Sequence, residues 1–115
     1  MRAIKYLLFL VVVVVFSCSK DDDEVLTPVC DGSNLAYNTG ISSIINSNCT
    51  ASGCHNSGSP NGSFTSFSGL QGALSSGSFN SRVLATQDMP QGSAMLSQDQ
   101  LNKLRCWVDN GFPEN

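Results

Sequence analysis

Three short stretches of this chain carry apolar residues at helical spacing, separated by small and polar residues. Ile41, Ile44 and Ile45 recur at i, i+3 and i+4, which puts them on one face of a helix. Thr39 precedes them, and its hydroxyl suits an N-cap, so a helix is predicted from there to about Asn48, leading straight into Cys49. Phe67, Leu70 and Leu74 fall at i, i+3 and i+7 behind Ser66 or Ser68 and predict a second, short helix. Leu101, Leu104 and Val108 form a third stripe with Trp107 beside it. Ser97 at N-cap and Gln100 at N3 make a capping-box pattern in front of it. Gly111 suits the C′ position and Pro113 the stop. The first and last helices are expected to pack together, Ile41, Ile44 and Ile45 against Leu104, Trp107 and Val108. No stretch reads as a strand. The fold class is therefore all-α, a small bundle of three to four short helices.

One further apolar stretch lies outside this pattern. Leu7 to Phe16 is unbroken and contains five consecutive valines, behind a basic start at Arg2 and Lys5. A bilayer needs about 20 apolar residues for a helix to cross, so this shorter run reads as a secretory signal; a retained membrane anchor is the rival reading. The run ends at Ser17-Cys18, which resembles the lipobox of bacterial lipoproteins, although Phe16 stands where that motif has a small residue. The resemblance implies lipidation of Cys18 and a membrane held through a lipid anchor, where each buried methylene contributes about 0.8 kcal/mol. Lys20-Asp21-Asp22-Asp23-Glu24 then reads as a solvated tether. It also resembles the address that sends some lipoproteins to the outer surface. The expected division is a signal peptide at 1–17, lipidated Cys and acidic tether at 18–29, and one domain at 30–115. At 115 residues and a net charge of −3, there is room for one domain only. There is no basic patch for nucleic acid.

The candidate chemistry is concentrated at Cys49-Thr50-Ala51-Ser52-Gly53-Cys54-His55. This is the C-x-x-C-H pattern of covalent haem attachment with two extra residues between the cysteines, and it contains the chain's only histidine. Placing His directly after the second Cys presents two thiols and an imidazole to one face of a macrocycle. From 50 to 81, ten Ser, six Gly and three Asn leave little apolar material to offset the entropy of ordering. A segment of that kind is either disordered or organised around something else, for which a macrocycle is a candidate. Phe64, Phe67 and Phe79 could line its pocket. Further on, Met89-Pro90 offers a thioether as second axial ligand, and Pro90 confines Met89 to extended conformations. Met95, beside Leu96, is the fallback ligand but reads as core. Arg82 is one of few cations that could offset haem propionates.

The five cysteines test this assignment. With Cys18 lipidated and Cys49 and Cys54 on haem, Cys30 and Cys106 remain as a disulfide pair. The competing arrangement has two disulfides among the four non-lipid cysteines and no haem.

Taken in order, the apolar first helix, Cys49-x4-Cys54-His55, the Gly/Ser-rich middle, Met89-Pro90 and the terminal Cys106-Trp107-Val108-Asp109-Asn110-Gly111 resemble small class I cytochrome c domains. The resemblance covers about residues 30–115 and departs from the family in the x4 spacing. It implies a small helical bundle wrapped around one covalent haem c. Cys49 and Cys54 would form thioethers, with His55 and Met89 as the iron ligands. Iron ligated on both sides transfers electrons and has no open position for catalysis. The implied protein is an electron carrier and not an enzyme, working with redox partner proteins at a bacterial cell envelope, as an outer-membrane lipoprotein facing the periplasm or the outside. Two alternatives stay open: zinc held by Cys49, Cys54 and His55 with Cys30 or Cys106, and a disulfide-stapled surface module without a cofactor.

Overall fold

The computed structural model describes residues 30, 35–92 and 95–115. The signal, Cys18 and the tether lie outside the described residues. Every regular element among those described is helical. A 3-10 turn at Tyr37–Thr39 leads into α1 (Ile41–Cys49), followed by α2 (Phe67–Ser75), a π-helical segment at Asn80–Ala85, and α3 (Gln98–Asp109). No helix among the described residues is long and apolar enough to cross a membrane.

The ends of α2 and α3 follow from local chemistry. Ser66 caps α2 by accepting from the Gly69 amide at 3.2 Å. Ser97 accepts from the Gln100 amide at 3.2 Å, while the Gln100 side chain accepts from the Ser97 amide at 3.0 Å, completing the capping box. At the other end of α3, Gly111 takes φ 82°. The Phe112 amide then reaches the Trp107 carbonyl at 2.8 Å and the Gly111 amide the Val108 carbonyl at 3.0 Å, a complete Schellman closure. The start of α1 differs from expectation. Gly40 occupies the N-cap without a side-chain bond. Thr39 belongs to the 3-10 turn, where its hydroxyl donates to the Ala36 carbonyl instead.

The core is one cluster centred on α3. Trp107, Leu104, Ile41, Ile45 and Leu70 are fully buried. Trp107 stands edge-on to Phe79 and Phe112, with centroids 6.2 and 6.3 Å away, and tilted against Tyr37 at 6.4 Å. Such pairs contribute about 0.5–1.5 kcal/mol each beyond their burial. Its indole N–H donates to the Pro113 carbonyl at 3.0 Å, so the largest core residue leaves no polar atom unsatisfied. Helix α1 packs on α3 with its three isoleucines buried; Val108 is only partly buried. The C-terminal residues seal this side, since the Tyr37 and Asn38 amides donate to the Pro113 and Glu114 carbonyls at 2.9 Å each.

Two features depart from the sequence reading. Residues 80–85 form a π-helical segment that buries Val83 and Leu84 against α3, and Arg105 donates to the Leu84 carbonyl at 3.4 Å. Met95, expected in the core, is 75 % exposed, while its neighbour Leu96 is buried. Adjacent residues in extended chain point to opposite sides, and here Leu96 took the inner one. Cys30 and Cys106 form a disulfide with Cα atoms 5.5 Å apart, inside the range that permits the bond.

Candidate functional site

Helix α1 ends at Cys49, and the chain then folds back through tight turns. The Cys54 amide donates to the Ala51 carbonyl at 2.9 Å and the His55 amide to the Cys49 carbonyl at 3.0 Å. Gly53, at φ 81°, supplies the left-handed residue that this return requires. The two additional residues in the motif are thus taken up in a turn, and His55 stays bonded to the backbone of Cys49. Cys49 and Cys54 are both free thiols, each half-buried. Burial pushes the Cys49 thiol up to about 11, and the nearby Cys54 adds to the shift.

His55 is held from three directions. Its Nδ1 lies 3.1 Å from the Gly62 carbonyl. A carbonyl only accepts, so Nδ1 carries the proton and Nε2 keeps its lone pair free for a ligand role. The Phe64 ring stacks on the imidazole, with centroids 3.8 Å apart and planes 4° from parallel. The Phe64 amide also donates to the His55 carbonyl at 2.8 Å. The turn at 59–62 that makes this possible is tied by the Ser59 hydroxyl donating to the Cys54 carbonyl.

Across from this loop, the π-helical segment and the turn after it present Arg82, Val83, Met89 and Pro90. Gln87 at φ 53° reverses the chain. Arg82 then pairs with Asp88 at 2.9 Å, and the Thr86 hydroxyl donates to the same carboxylate at 2.9 Å. Those contacts lower the Asp88 carboxyl below its ordinary range. The Met89 amide donates to the Arg82 carbonyl at 3.3 Å. The methionine loop is therefore tied back to the π-helical segment at both its side chains and its backbone.

Between these two walls lies a cavity of about 710 Å³, within the range of small-molecule and cofactor sites. Cys49, Cys54, His55, Arg82 and Met89 all line it, together with Phe64, Phe79, Val83 and one face of α2. The structure brings Cys49, Cys54, His55, Phe64, Phe79, Arg82 and Met89 to one cavity, and leaves Met95, the fallback ligand, outside its lining. Phe67 is the exception among the aromatic candidates. It packs on Tyr37 at 5.4 Å and is not part of the cavity lining. Arg82 is at the cavity, but its charge is already compensated by Asp88. Sequence reasoning missed the Phe64 stack and the Gly62 acceptor. Their one sequence signal is position, Phe64 nine and Gly62 seven residues past His55 in a glycine-rich turn region.

Among the described residues, no group of three or more His, Cys, Asp or Glu is placed to hold a metal ion. Cys30 and Cys106, the fourth ligands considered for zinc, are bonded to each other. No protein-family model, curated protein or solved structure matches the chain.

Proposed function

We propose that residues 30–115 are a c-type haem domain and that the protein is a one-electron carrier of the cell envelope. The observation that carries this reading is convergence. Five residues chosen by motif and ligand chemistry, from two separate segments at 49–55 and 82–89, line a single cavity.

In this reading Cys49 and Cys54 hold the haem. Each S–H adds across a vinyl double bond, forming one S–C bond while the hydrogen goes to the neighbouring carbon, so no oxidant is consumed. Burial, and then the neighbouring Cys54, push the Cys49 thiol up to about 11, which keeps it protonated until attachment. His55 supplies Nε2 as one iron ligand, oriented by Gly62 and Phe64. A backbone acceptor on the other ring nitrogen fixes the tautomer and raises ligand basicity. Met89 supplies the second ligand, a pairing that raises the reduction potential. Phe79 and Val83, both buried, give apolar wall and exclude water. Arg82 places a cation near the carboxylates of the macrocycle, with Asp88 reducing the net offset. Haem, once bound, supplies a reversible one-electron change at iron.

The proposal extends to lipidation at Cys18, anchoring in the outer membrane with the 18–29 tether, and transient encounters with redox proteins. Such encounters are small and weak, so the carrier needs no large apolar docking patch.

The test is expression with a haem-maturation system, followed by denaturation and a reduced spectrum. Haem that stays with the unfolded polypeptide supports the proposal. A colourless chain containing zinc overturns it in favour of a zinc site, and a colourless chain with two disulfides overturns it in favour of a stapled surface module.

A further inference from the structure

Helix α2 has two unlike faces. Leu70 and Leu74 turn to the core. Gly69, Gly72, Ala73 and Ser76, spaced i, i+3, i+4 and i+7, line the cavity. The two glycines have different grounds. A Cβ at Gly69 would collide with the Ser63 carbonyl oxygen, so the fold itself excludes a side chain there. A Cβ at Gly72 would meet no atom within 4 Å. Gly72 does not adopt a positive φ, and it sits inside a helix, where glycine is less favourable than every residue but proline. Neither packing nor backbone conformation calls for glycine at this position. A longer side chain there would extend into the cavity.

We infer that Gly72 is a specificity-determining residue: with Ala73 and Ser76 it keeps the α2 wall bare, so that a flat macrocycle can lie against the helix. The inference rests on the haem reading, but it concerns clearance and not covalent attachment.

The test uses the full chain before haem maturation, with added haemin as the probe and the Soret band as readout. Gly72→Ala raises Tm by about 4 °C, because the helix gains propensity while nothing is crowded. Gly72→Phe lowers haemin affinity by at least about tenfold, the order expected for overfilling a packed site. Gln71→Phe puts the same bulk on the next residue, outside the cavity lining, and binds haemin as the parent chain does. Haemin bound equally by the parent and Gly72→Phe overturns the inference, as does an equal loss in Gln71→Phe. So does a parent chain that binds no haemin. Should Gly72→Phe lose its helical circular dichroism, Gly72→Ala decides: lowered haemin affinity supports the inference, and unchanged affinity overturns it whatever the Tm. The two readings fail separately. A parent chain that takes no covalent haem yet binds haemin, and loses it in Gly72→Phe, removes attachment and keeps the clearance. Covalent haem in equal amounts in both chains removes the clearance and keeps attachment.

Discussion

The rings of His55 and Phe64 lie face to face, 3.8 Å between centroids and 4° from parallel. The imidazole is further held by the Gly62 carbonyl at 3.1 Å. Orientation of the sole histidine is thus a property of the polypeptide and precedes any ligand. Phe64→Ala removes the stack. Truncating a fully buried Phe costs about 3–5 kcal/mol; Phe64 is half-buried, so about 2 kcal/mol is expected from urea unfolding. Proton NMR gives the sharper readout. The His55 ring protons are shielded by the facing ring in the parent chain and move downfield in Phe64→Ala. Unmoved resonances count against the stack in solution.

Cys49 gives the unloaded chain a defined pH response. Burial, then the proximity of Cys54, raises its thiol from 9.0 to about 11. The folded state therefore holds that proton longer than the unfolded state does. The associated stability is fully present below about pH 9 and is lost as pH rises through about 11. Tyr37, raised by burial and then by Glu114, acts in the same direction. Tm is expected to fall across that window, and Cys49→Ala to flatten part of the fall. Near pH 8 about one Cys49 thiol in a thousand is ionised, so iodoacetamide modifies it far more slowly in the folded chain than in urea. Equal rates in the two states contradict the burial of this thiol.

The Cys30–Cys106 disulfide closes a loop with a sequence separation of 76. Loop-closure models assign about 4–5 kcal/mol to a cross-link of that span. The double substitution of Cys30 and Cys106 by Ala is expected to lower urea-unfolding stability by about 4 kcal/mol. A loss below about 1 kcal/mol shows that the unfolded chain is already compact at this span. Ala is the suitable replacement because Cys106 is buried beside Trp107, where a serine hydroxyl would need a partner.

Helices α2 and α3 were legible because their determinants are local. Ser66 and Ser97 are capping residues directly ahead of periodic stripes, and Gly111 is a glycine where α3 must turn left-handed. The stripe of α1 was legible too, but its cap was not: Thr39 is a good N-cap residue drawn into a 3-10 turn that the C-terminal residues hold through Tyr37 and Asn38. That pairing joins distant segments and leaves no local trace. The π-helical segment was missed for a different reason. Phe79, Val83 and Leu84 are all buried; Phe79 and Val83 make a single i, i+4 pair, and Leu84 at i+5 falls off an α-helical stripe. For the site, the residues that meet at the cavity were readable from the motifs, whereas the groups that hold the His55 ring were not. Gly62 acts through its backbone carbonyl and Phe64 through ring geometry, and neither has a residue-type signature.

Met89 and Met95 are six residues apart and sit in opposite environments. Met89 lines the cavity, and its amide is bonded to the Arg82 carbonyl at 3.3 Å. Met95 is 75 % exposed. In the unloaded chain, Met95→Ala is expected to change stability by less than about 0.5 kcal/mol, as exposed substitutions do. Met89→Ala, which removes a partly buried side chain packed against the core cluster, is expected to cost about 1–2 kcal/mol. In the haem-loaded chain proposed above, Met89→Ala lowers the reduction potential and abolishes the sulfur-to-iron charge-transfer band, while Met95→Ala leaves both unchanged. The reverse outcome, with the band surviving in Met89→Ala and vanishing in Met95→Ala, transfers the ligand role to Met95. That exchange would require the 89–95 chain to reorganise, bringing an exposed thioether into the cavity and displacing one already on its wall. The Arg82–Asp88 pair and the Thr86 bond to Asp88 oppose it by holding the turn ahead of Met89 in place.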